Sequence, residues 1–169
     1  MRSLVVYYSH YGNTSLVVQY IYNALIKLGK TDLVRLEYKH GQENPIARIV
    51  YKIMPRLVEL MPAPVDISEY DLLCIGIPVF AGTPSSAVAK YLSMCRNIDG
   101  KKIICSYVYG FEANAKHCSR VVREYLQKIG KANIVELFIP WARVQDEQFV
   151  QTAITNILTG PADAVSKKH

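Results

Sequence analysis

The 169-residue chain lacks most signatures that announce a chemistry. It has no GxxxxGK[ST], which argues against a magnesium-bound triphosphate. It has no GxGxxG either, which argues against a dinucleotide pyrophosphate at its first loop. The four cysteines (Cys74, Cys95, Cys105, Cys118) form no CxxC pair and follow no metal-ligand spacing, so no metal is expected. Cys74 and Cys105 sit in apolar runs, where a reduced thiol behaves as a small hydrophobe. Four structural thiols suit a reducing cytoplasm. MRSLVVYYSH has no apolar stretch long enough for a signal peptide. The longest uncharged run, Leu72 to Ala89, contains Gly76, Pro78, Gly82 and Pro84. It reads as strand, loop and helix start rather than a membrane span. Repeats and low-complexity tracts are missing apart from the polar SKKH end.

What is present is ordinary globular composition, 50% hydrophobic and 20% charged. One domain over 1–160 with a polar tail, 161–169, is the simplest division. The net charge is +6 and the pI about 9.1, but the basic residues are spread along the chain, so no nucleic-acid partner is expected. Five β-rich apolar runs stand out: Leu4–Tyr8, Leu33–Leu36, Leu72–Ile77, Ile103–Val108 and Ile134–Ile139. Continuous runs of this kind suit strands covered on both faces. Between them lie helical faces: Leu16, Tyr20, Ala24 and Ile26; Val88, Tyr91, Leu92 and Cys95; Val121, Val122, Tyr125, Leu126 and Ile129; Phe149, Ala153, Ile154 and Ile157. Gly29 and Gly130 close two of them. The alternation predicts an α/β three-layer sandwich, a five-stranded parallel sheet of order 2-1-3-4-5 with helices on both faces. Ligands bind such sheets outside the carboxyl ends of the strands, which directs attention to the loops after strands one, three and four.

The connection from Tyr38 to Glu69 is long and holds a helix of its own, opened by Asn44 and Pro45. Arg48, Lys52 and Arg56 form a basic stripe on this 44–61 helix, and Pro55 is placed to kink it. It reads either as a crossover helix with a solvated face, or as a docking surface for an acidic partner, a second subunit or an anionic membrane.

The first loop, within VVYYSHYGNTS, is dense in hydroxyls and has no lysine or arginine. A strand running into a helix start offers unpaired N–H groups and a positive dipole end. Ser9, Asn13 and Thr14 add side-chain donors, enough for a phosphomonoester without a cationic side chain. The alternative is that Asn13, Thr14 or Ser15 simply caps the helix.

The loop after the third strand, GIPVFAGTPSSAV, places Phe80 between Pro78 and Gly82. Together, YYSHYGNT and GIPVFAGTPSSAV resemble the flavodoxin-like family of FMN-binding proteins, over roughly residues 3–158. The first loop is also similar to the YYSxYG of flavodoxin-like quinone reductases. The resemblance implies that Ser9, His10, Tyr11, Gly12, Asn13 and Thr14 wrap the FMN phosphate. It also implies that Pro78, Val79, Phe80, Ala81, Gly82 and Thr83 border the isoalloxazine. The third loop, after the fourth strand, should meet the other face of the ring through Ser106, Tyr107, Tyr109 and Gly110. One of the two tyrosines is expected in the core. Family members often carry glycine and serine here, whereas this chain has aromatics and Glu112.

Weaker candidates are a thiol at Cys118 beside His117, near a helix start, and Trp141 at the site entrance. No residue is assigned a catalytic role. The expected function is electron transfer by a flavodoxin-like FMN flavoprotein serving a redox partner protein. Two alternatives stand beside it: an FMN-dependent NAD(P)H:quinone-type oxidoreductase, favoured by the basic charge, and a cofactor-free flavodoxin-shaped binding module.

Overall fold

The computed structural model describes residues 1–39 and 58–160. Most of the basic 44–61 helix and the tail 161–169 lie outside those residues. At the described end of that helix the expectation is corrected, because residues 58–61 are not helical. Leu60 pairs antiparallel with Tyr38, and the Met61 N–H donates to the Glu37 carbonyl at 2.8 Å. Met61 and Ala63 each precede a proline, which steers both away from helical backbone.

Five strands form the parallel sheet: β1 (Arg2–Tyr7), β2 (Lys30–Arg35), β3 (Leu72–Phe80), β5 (Lys102–Tyr109) and β6 (Asn133–Pro140). Their order, β2-β1-β3-β5-β6, is the expected 2-1-3-4-5 once only parallel strands are counted. The strand the sequence did not announce is β4 (Thr83–Pro84), two residues folded back antiparallel on the end of β3.

Alternating strand residues divide the apolar side chains between two layers. Leu4, Val6, Leu73, Ile75, Ile77, Ile103 and Cys105 face α2 (Ser86–Met94) and α3 (Glu112–Ile129). Val5, Cys74, Ile104, Leu137 and Ile139 face α1 (Asn13–Leu25) and α4 (Glu147–Thr159). These side chains are almost wholly buried, and each valine, leucine or isoleucine contributes about 1.5–3 kcal/mol of hydrophobic stabilisation. Ser85 caps α2, accepting from the Val88 N–H, and Asp146 caps α4, accepting from the Phe149 N–H. Gly130 ends α3 as its spacing predicts.

Helix α1 is turned relative to the expected face. Its buried residues are Thr14, Val17, Val18, Ile21 and Leu25, while Ile26 is exposed. The rotation follows from how its first turn seats on the sheet. Gly76, opposite Tyr7 in the β1–β3 register, has no side chain to fend the helix off. A Cβ there would lie 2.5 Å from Val18 Cγ2, 2.7 Å from Tyr7 Cβ and 3.2 Å from Thr14 Cγ2. The close approach carries the start of α1 to the carboxyl edge of the sheet.

Candidate functional site

At that edge the strand ends and the start of α1 enclose a crevice of about 240 Å³. Ser9, His10, Tyr11, Asn13 and Thr14 form one wall, and Pro78, Val79 and Phe80 form another. Val108, Tyr109, Gly110 and Trp141 complete it. The fold thus brings ten of the sixteen site residues expected from sequence into one crevice, adding Val108 and Trp141. Gly12, Ala81, Gly82, Thr83, Ser106 and Tyr107 are not part of the lining.

The first loop is shaped from within. Ser9 is buried, and its Oγ accepts from the N–H groups of Gly12 and Ser15, both at 3.2 Å. That spends both lone pairs and leaves the hydroxyl proton as a donor. Gly12 is the N-cap, at φ 89°, a left-handed conformation that costs glycine little. None of Asn13, Thr14 and Ser15 caps the helix, contrary to the capping alternative; Ser9 Oγ takes the Ser15 N–H, and the N–H groups of Asn13 and Thr14 lack an intrahelical acceptor. Thr14 is buried beside Gly76, which fixes where those amides point. His10 and Tyr11 pack edge-to-face at 4.4 Å, and Tyr11 is exposed.

The second loop is a tight hairpin. Ala81 (φ 48°) and Gly82 (φ 81°) both take positive φ, as a two-residue type I′ turn requires. Thr83 Oγ1 donates to the Phe80 carbonyl at 3.0 Å. The hairpin tip is pressed against α3, where a Cβ at Gly82 would meet His117 Cδ2 at 3.2 Å. Residues 81–83 therefore sit at the turn, and Phe80 is left at the crevice.

The third loop separates the two tyrosines. Tyr107 is fully buried, stacked on Phe138 at 5.0 Å, with its hydroxyl donating to Glu136. Tyr109, two residues on, reaches the crevice and meets the edge of Phe138 at 6.5 Å. Burial, and then the Glu112 carboxylate, push its phenol up from the ordinary value, so it remains a hydrogen-bond donor at neutral pH. Ser106 faces the other layer, in register with Gly76, with its Oγ buried and unpartnered among the described residues. Trp141, exposed after β6, lays its indole on Gly110, where a Cβ would touch it at 3.4 Å.

The thiol alternative is corrected by burial. Cys118 is inaccessible and its thiol is pushed up to about 12 by desolvation, so it is not a nucleophile at neutral pH. Sequence reasoning also missed Arg35. The loop itself has no cation, yet the Arg35 guanidinium, at the end of β2, donates to the Ser9 carbonyl at 3.2 Å. Nothing local signals a contact across 26 residues of chain.

No family model matches the chain, and no curated protein does either. Solved structures do. A Bacteroides eggerthii protein superposes with a TM-score of 0.71 at 16% identity, covering 94% of this chain and 98% of its own. A Lactobacillus acidophilus flavoprotein in complex with FMN gives 0.61 at 19% identity, covering 87% and 98%. Oxidised flavodoxin 1 of Bacillus cereus gives 0.60 at 12% identity, covering 92% and 98%. The fold is the flavodoxin fold.

In this flavodoxin-like chain no helix among the described residues is long and apolar enough to cross a membrane. The crevice occupies the place where doubly wound sheets bind ligands, at the switch between the β1–β2 and β1–β3 neighbours.

Proposed function

We propose that this flavodoxin-like chain binds FMN and transfers electrons. One observation carries the reading: unpaired amides at the opening of α1 share a crevice with aromatic side chains from three other loops. That is the donor set for a phosphomonoester beside a wall for a planar ring. The Asn13 and Thr14 N–H groups, the side chains of Ser9, Asn13 and Thr14, and a helix end worth about half a positive charge would hold the phosphate. Hydrogen bonds to an ion contribute about 1.5–3 kcal/mol each, so two or three suffice without a cation in the loop. Pro78, Val79, Phe80, Tyr109 and Trp141 would flank the ring, and aromatic contacts add about 0.5–1.5 kcal/mol beyond area. At about 240 Å³ the crevice is smaller than a typical enclosed site of roughly 300–1,000 Å³.

The flavin, when bound, supplies the one- or two-electron chemistry. This chain's residues orient it and set its surroundings. Among the described residues, no Lys, Arg, Asp or Glu lines the crevice. Tyr109 would supply a neutral donor, and Phe80 and Trp141 would offer apolar surface to the ring. Absorbance of the purified protein, with FMN titration of the stripped protein, tests the reading. A yellow protein binding FMN stoichiometrically supports it; a protein that takes up no flavin leaves the cofactor-free binding module instead.

A second reading, an FMN-dependent NAD(P)H:quinone-type oxidoreductase, is favoured by the charge around the crevice. Glu112 is paired with Lys116 at 2.8 Å and Asp146 with Arg143 at 2.6 Å. These two carboxylates are thus paired with cations rather than free to steer a basic protein partner. Anaerobic mixing with NADPH or NADH separates the readings: rapid bleaching marks an enzyme, and its absence a carrier.

A further inference from the structure

We infer that Arg35 is the cation that compensates the flavin phosphate from behind the first loop, and that it makes the site prefer a phosphorylated flavin over an unphosphorylated one. The inference rests on the FMN reading above. Arg35 ends β2 and stands in register with Tyr7, the last residue of β1. The Leu36 N–H donates to the Tyr7 carbonyl at 2.7 Å, so the two strand ends leave the sheet together. This delivers the guanidinium to the loop as a consequence of the sheet order, not of the loop's own sequence.

Ser9 is held from two sides. Its Oγ accepts the loop's Gly12 and Ser15 N–H groups, while its carbonyl accepts from Arg35 Nη2 at 3.2 Å. A second cleft of about 250 Å³, lined by Arg35, Glu37 and Tyr38, lies on the β2 side of the same loop. Ser9 and His10 border both hollows and form the wall between them. A Ser9 carbonyl bound to Arg35 on that side is kept from turning its negative end toward a phosphate on the other.

The charge of Arg35 is also available. At this end of the sheet Lys39 is paired with Glu59 at 3.2 Å, Lys116 with Glu112 at 2.8 Å and Arg143 with Asp146 at 2.6 Å. Arg35 has no carboxylate in ion-pair range among the described residues. A positive charge one peptide away from a dianion attracts it through a partly solvated medium, and that attraction weakens with salt. It acts on the phosphate and not on the uncharged ring.

The test compares FMN with riboflavin on the full chain stripped of flavin, in the wild type, Arg35→Gln and Arg35→Lys. Arg35→Gln should lower FMN affinity about tenfold, equivalent to about 1.4 kcal/mol, and leave riboflavin affinity within about twofold. Arg35→Lys should retain more of the FMN preference than Arg35→Gln. Wild-type FMN binding should weaken more steeply with sodium chloride than that of Arg35→Gln. Retained riboflavin binding serves as the check that each variant is folded. Equal weakening of both ligands assigns Arg35 a purely structural role and overturns the inference, as does an unchanged FMN preference or a lysine variant no better than glutamine. A wild-type protein that takes up no FMN overturns the reading beneath it.

Discussion

Replacing Gly76 with alanine probes the contact that seats α1, and its effect can be worked out from three distances. The added methyl would lie 2.5 Å from Val18 Cγ2, 2.7 Å from Tyr7 Cβ and 3.2 Å from Thr14 Cγ2. Favourable carbon contacts lie at about 3.5–4.0 Å, so α1 must retreat by about 1 Å or the pair of strands must part. Val18 is buried and cannot simply swing away, and Tyr7 Cβ is fixed by the β1–β3 ladder. Overpacking of this kind costs about 1–3 kcal/mol. At about 2–4 °C per kcal/mol for a chain of this size, a loss of about 2 kcal/mol lowers Tm by about 4–8 °C. The same displacement moves Thr14 and the free amides of the first turn, so FMN affinity should fall by more than the stability change alone would suggest. Thermal melts followed by circular dichroism, with FMN titration below the transition, measure both. A melting point shifted by less than about 1 °C would refute the described seating of α1.

Three further outcomes follow from other parts of the molecule. Burial pushes the thiols of Cys95, Cys105 and Cys118 from the ordinary 9.0 up to about 12. Between those values the folded chain holds more protons than the unfolded one, so stability conferred by the buried thiols is complete below about pH 8.5 and is lost as pH rises toward 12. Denaturant melts from pH 7 to 11 should show the decline, smaller in Cys118→Ala, and a thiol reagent at pH 8 should label only the denatured protein; rapid labelling of the native chain would contradict the burial. Glu136 accepts from Ser119, Tyr107 and the Arg123 guanidinium. Because Arg123 is 43% exposed and can turn to water, Glu136→Leu should cost about 1–3 kcal/mol, mainly from the orphaned hydroxyls, and a neutral result in urea melts would argue against the network. Trp141 is the single tryptophan, so its fluorescence reports one position. FMN should quench it strongly, whereas binding seen by absorbance without quenching would remove Trp141 from the ring wall.

The sequence by itself determined the architecture and the two most informative loops. Strand runs covered on both faces and the helical spacing between them are local patterns, and their alternation leaves few ways to build a sheet. The first loop was legible because its chemistry is local too: a strand end, a glycine and a helix start with unpaired amides. Tertiary structure decided the rest. Tyr107 and Tyr109 have the same side chain and the same strand parity, and only their distance from the strand end puts one under Phe138 and the other in the crevice. Ser106 reads as a loop hydroxyl, but β5 persists through it and turns it toward the layer of α1. The Ala81–Gly82 turn reads in the sequence as a ring-bordering loop, and the short β4 strand folds its tip against His117. Arg35 meets the Ser9 carbonyl only because parallel pairing sets the end of β2 beside the end of β1. Backbone pattern propagates along the chain, so it can be read there; proximity between strand ends is created by hydrogen bonds across the sheet, which no single segment contains.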